Sequence, residues 1–61
     1  PDYSEAWHSR GNALVAVKRY QDAIASYDKA IRYKPDYGAA IEAKKRAESQ
    51  LGNNQPQPKQ Q

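Results

Sequence analysis

The tripeptide Pro1-Asp2-Tyr3 returns as Pro35-Asp36-Tyr37, 34 residues later. Carrying that offset forward pairs Ala6 with Ala40, Trp7 with Ile41, Arg10 with Lys44 and Ala13 with Ala47, so the periodicity extends into the segment after the second copy. A unit that recurs does not close its own apolar surface, because each copy buries one side against the next. The chain therefore reads as one unit, the start of another, and a surface left for something else.

Helical spacing fills the period. Asp2 and Glu5 provide carboxylates for a helix start, with Ser4 as a competing cap. Trp7, Gly11, Leu14 and Val17 or Lys18 then follow at three- and four-residue intervals, predicting a first helix over about 4–17. Tyr20, Ala23, Ile24, Tyr27, Ala30 and Ile31 give a second stripe over about 21–33, which Pro35 ends by disfavouring helical geometry at Lys34. The short Lys18-Arg19 turn makes these two helices antiparallel. Tyr37, Ala40, Ile41, Lys44, Ala47 and Leu51 outline a third helix with Gly52 as a natural stop. The fold class expected is all-α: an antiparallel hairpin plus a third helix that caps it.

The core on offer is thin. Hydrophobic residues make up 38% of the 61, but ten of them are Ala, and there is no Cys to cross-link the chain. Ordering each residue costs about 1.5 kcal/mol, which so few large apolar side chains barely offset, so marginal stability is expected for the isolated chain. Gly11 and Ala23 lack bulk and let two helices approach closely, with Trp7, Ile24 and Tyr27 filling the flanks. Ala30 and Ile31 should meet the third helix through Ala40 and Ile41, leaving Lys44, Lys45, Arg46 and Glu48 toward water. Tyr20 and Tyr27 are expected in the core with hydroxyls at its edge, Tyr3 and Tyr37 at repeat junctions, and Tyr33 either as a binding aromatic or at a junction.

From Ser4 to Tyr37 these residues resemble a tetratricopeptide repeat: Trp7, Gly11, Tyr20, Ala23-Ile24, Tyr27, Ala30-Ile31 and Pro35 meet its pattern in order, while Arg10 stands where Leu is preferred and Leu14 where Tyr is common. The resemblance implies a right-handed α-α solenoid fragment, with residues 1–3 ending a preceding repeat, 4–37 a full repeat, 38–52 a C-terminal capping helix and 53–61 a disordered polar tail. It also implies a protein-interaction module, the C-terminal repeat of a longer scaffold that binds a peptide or extended partner segment on its concave side. Glu5, His8, Asn12, Val15 and Ala16 occupy the groove-facing positions, and Glu42 and Arg46 those of the following unit. Family members that grip a terminal carboxylate carry Asn and Arg where Asn12 and Arg46 stand, but Lys where this chain has His8 and Glu42, and Glu42 would repel an anion.

Other classes draw less support. His8 is the only imidazole, an exposed helical residue by its position, and no carboxylate pair shares an enclosed site, so neither an enzyme nor a metal or cofactor site is expected. Self-association through the open hairpin surface, by stacking or by exchange of the third helix, is a second expectation. A third is a basic surface of Arg32, Lys34, Lys44, Lys45 and Arg46 for nucleic acid or anionic lipid, which a solvated helix face explains better. Net charge is +3, mean hydropathy −1.17, and no stretch approaches the roughly 20 apolar residues of a membrane span, so a soluble, cytoplasmic protein is expected. The segment from Asn53 on contains two Pro and four Gln and no hydrophobic residue. Its Pro-Gln-Pro is read as part of a solvated end.

Overall fold

A computed structural model describes residues 2–54, with side chains through Gly52. Three helices follow in order: α1 (Tyr3–Ala16), α2 (Tyr20–Tyr33) and α3 (Gly38–Asn54). The predicted all-α hairpin with a third helix is what forms. Pro1 and the greater part of the predicted tail, residues 55–61, lie outside the described residues.

Helix α1 begins where Asp2 turns the chain: its carboxylate accepts from the backbone N–H of Ser4 at 3.1 Å and of Glu5 at 3.4 Å, and Ser4 Oγ donates to the same oxygen. Asp2, and not Ser4, is thus the cap. The hydroxyl bond from Ser4 and then the amide bonds hold the Asp2 carboxyl below its ordinary range. At the other end, Lys18 N–H donates to Val15 C=O and Arg19 N–H to Leu14 C=O, both at 2.9 Å, which is the double bond of a Schellman motif. Lys18 accordingly takes the left-handed conformation, φ 65°, that glycine usually fills there.

That turn folds α2 back along α1. Helix α2 has no side-chain cap; Asp22 in its first turn instead pairs with Arg19 at 2.7 Å on the surface. It ends at Lys34, extended at φ −144° ahead of Pro35, as the proline requires. Tyr37 N–H closes the turn onto Lys34 C=O at 3.0 Å and α3 starts at once. Two residues beyond Gly52 are still helical, so the expected stop is not used: no glycine here has positive φ, and a glycine inside a helix costs only about 1 kcal/mol.

The core lies on α2, the middle layer. Ala23, Tyr27 and Ala30 of α2 are buried, joined by Ala40 and Ala47 of α3, while α1 meets α3 at only a few positions. Four of these five are Ala, so close backbone approach takes the place of bulk. Leu14, Val15, Tyr20, Ile24 and Ala43 pack around the edge of the buried cluster, half-exposed. Ile31 and Ile41 are likewise half-buried.

Candidate functional site

A single small-residue position sets the geometry. Gly11 is buried, and a Cβ there would lie 2.4 Å from Cε1 and 2.7 Å from Cδ1 of Tyr27. Only a bare backbone lets the Tyr27 ring lie flat against α1. The ring thereby reaches past Gly11 to the next residue, where its hydroxyl donates to Asn12 Oδ1 at 2.7 Å. Burial raises the Tyr27 hydroxyl above its ordinary pKa, so the proton that makes this bond is retained throughout the neutral range. With Oδ1 engaged, the Asn12 amide presents its nitrogen, with two donors, to anything that approaches.

Beside this pair, a depression of about 260 Å³ opens between α1 and α3. Asn12 and Val15 form one side, Tyr27 the floor, and Ala43, Arg46, Ala47 and Gln50 the other side. The volume lies below the roughly 300–1,000 Å³ of drug-sized ligand sites and suits one side chain of a longer ligand. Its chemistry is apolar at Val15, Ala43 and Ala47 and donor-rich at Asn12 and Arg46. No carboxylate pairs with Arg46 among the described residues.

The residues predicted to face a groove divide accordingly. Asn12, Val15 and Arg46 are brought together around the depression. Glu5, Ala16 and Glu42 are exposed and do not line it. His8 is not the exposed helical residue expected: it is half-buried, its ring 5.8 Å from that of Tyr27 and 5.1 Å from that of Tyr37, and Nδ1 shares a 3.1 Å hydrogen bond with the Tyr37 hydroxyl. Aromatic residues meet it from two sides because the turn after α2 brings Tyr37 back over α1.

Two other placements differ from expectation. Trp7, expected to fill a flank of the core, is half-buried outside the buried cluster, with Arg10 at 5.6 Å and Lys29 at 5.5 Å from its ring. A cation at such a distance over an indole is held by the electron-rich face of the ring. Lys44, expected to face water, reaches back to Asp28 of α2 at 2.6 Å, and its pKa is raised, first by that hydrogen bond. Helical spacing puts Tyr27 in the packing but does not show that it orients Asn12, a contact across helices. Ala43 and Gln50 are not evident as lining residues from the sequence either, although one helical turn to either side of Arg46 leads to both.

A short turn that folds two helices together, and a third helix seated on the second, define a helical-hairpin repeat followed by a third helix. The family can be stated outright: the sequence model of the tetratricopeptide repeat matches residues 4–37, and the chain belongs to the tetratricopeptide repeat family. No curated protein and no solved structure matches the chain. Repeats of this family are protein–protein interaction modules, typically without enzymatic activity. Among the described residues no helix is long and apolar enough to cross a membrane, and no three His, Cys, Asp or Glu side chains are grouped to hold a metal ion.

Proposed function

We propose that the chain binds an extended segment of another protein along the face between α1 and α3, as the last repeat and capping helix of a longer scaffold. One side chain of that segment seats in the depression and its backbone carbonyl takes the Asn12 amide. The observation that carries this reading is the pairing of Asn12 and Arg46, one repeat period apart, on opposite sides of one hollow whose floor, Tyr27, fixes which way the Asn12 amide points. An apolar seat for a side chain with donors at its rim is what an extended peptide needs, since each residue offers a carbonyl and, alternately, a side chain. Arg46 adds preference for a segment with an acidic residue or carboxylate nearby. Glu42, exposed on the same helix, opposes more than one such charge.

An immobilised array of unstructured peptides tests it. Peptides retained by the chain should be lost by both Asn12→Ala, which also takes the hydrogen-bond acceptor from the buried Tyr27 hydroxyl, and Arg46→Glu, an exposed position in no ion pair whose substitution leaves the core intact. Retention of the same peptides by both variants would overturn the proposal.

A further inference from the structure

A run of three cations, Lys44, Lys45 and Arg46, stands on α3, and the hollow uses only the last of them. Lys44 is taken up by Asp28 at 2.6 Å. Lys45 and Arg46 are exposed, and neither pairs with a carboxylate among the described residues. Ser49, three residues after Arg46 and four after Lys45, is exposed as well, and its hydroxyl has no hydrogen-bond partner among the described residues. Helical spacing puts it on the same strip of surface as the two unpaired cations.

No other aliphatic hydroxyl of the chain has this setting. There is no Thr; Ser4 is buried and donates to Asp2, and Ser26 is buried within α2. Ser9 is exposed, but residues 3–8 ahead of it hold no Lys or Arg and one carboxylate, Glu5. Protein kinases select their targets in part by charge, and cations five, four and three positions before Ser49 are a pattern that a basic-directed kinase reads. Such an enzyme takes its substrate as an extended strand, and the end of α3 can supply one. After Ala47 only Leu51, among the described residues, is as much as half-buried, and helix ends held so lightly open at low cost.

We infer that Ser49 is a phosphorylation site read through residues 44–46, and that its phosphate, once made, draws Arg46 away from the rim of the hollow. The γ-phosphoryl group of a nucleoside triphosphate passes to Ser49 Oγ: the Oγ–P bond forms as the bond from phosphorus to the β–γ bridging oxygen breaks, the nucleoside diphosphate leaves, and the hydroxyl proton goes to the kinase's base. The product sets a charge of about −1.5 to −2 and three acceptor oxygens beside a guanidinium fork and an ammonium that no carboxylate occupies. The consequence for the hollow rests on the peptide reading proposed above: Arg46 held by its own helix no longer favours an acidic segment.

Three measurements on the full chain test it. Incubation with ATP and the catalytic subunit of cyclic-AMP-dependent protein kinase, a basic-directed enzyme, should place one phosphate on Ser49, located by mass spectrometry, and none on a Ser49→Ala chain. At 61 residues the chain is within reach of chemical synthesis, which sets phosphoserine at position 49 without a kinase. In that chain, phosphorus NMR across a pH titration should give the phosphate a proton affinity about two- to fivefold lower than in the same chain carrying Arg46→Gln. Peptides retained on the array by the unmodified chain should bind the phosphorylated chain about tenfold more weakly. Absence of phosphate from Ser49 would overturn the site, and equal proton affinity with and without Arg46 would overturn the capture. Undiminished retention of the peptides by the phosphorylated chain would remove the regulation. An unmodified chain that retains no peptide overturns the peptide reading alone, and the first two measurements then decide this inference.

Discussion

Gly11 carries more of the structure than any large residue, because its missing side chain is the space that Tyr27 occupies. Gly11→Ala adds helix propensity worth about 1 kcal/mol but forces a buried ring to move, at about 1–3 kcal/mol. Net destabilisation is expected, seen as a lower midpoint in urea. Lys18 is the opposite case: it holds a left-handed conformation at a cost that glycine avoids. Lys18→Gly should stabilise the chain by up to about 1 kcal/mol after the extra freedom it gives the unfolded state, readable in a thermal melt. Both expectations arise at positions where the backbone, and not the side chain's polarity, decides. Gly11 was legible from its place in the stripe; Lys18 was not, because nothing in a Lys-Arg pair announces a left-handed turn.

Each helix has one device that ties it down, and these devices differ in how visible they are from sequence. The cap of α1 was readable in Asp2 and Glu5, since cap and first turn are adjacent in the chain. Its folded-state pKa is depressed, so the stability it gives is present above the carboxyl's unfolded value near 3.9 and is lost as pH falls through the folded value. Asp2→Ala should therefore melt below the parent at neutral pH, and the two melting curves should converge as acid titrates the carboxylate. The link between α2 and α3 was not readable: Asp28 and Lys44 are sixteen positions apart, a separation no helical rule connects. Because the Lys44 pKa is raised, its contribution is complete below about 10.4, the unfolded value, and disappears as pH climbs through the folded one. Both side chains are partly exposed, so a double-mutant cycle on Asp28→Asn and Lys44→Gln should give a coupling of about 0.2–1 kcal/mol that shrinks in salt. The same blindness to distance makes His8 look exposed in the sequence: Tyr37, 29 positions on, becomes its neighbour only when the hairpin has closed.

At the scale of the whole chain, a core of one Tyr and four Ala leaves little apolar surface to bury, and no cross-link compensates. Urea should unfold the isolated chain at low concentration with a shallow slope, near or below about 1 kcal/mol/M; a steep transition at several molar urea would contradict that assessment. The hairpin, its antiparallel sense and the third helix were legible because hydrophobic period, proline and repeat offset all pointed one way. The hollow was legible in part, through Asn12 and Arg46, whereas the role of its floor depended on a contact across helices. One property of the layering bears on what that hollow can hold. Its two walls, α1 and α3, rest on α2 and scarcely on each other, so the distance across it is governed by the tilt of two rods on a common keel. If the proposed segment binds there, a bulkier side chain would meet two walls joined through α2 alone, and selectivity by girth would be correspondingly relaxed.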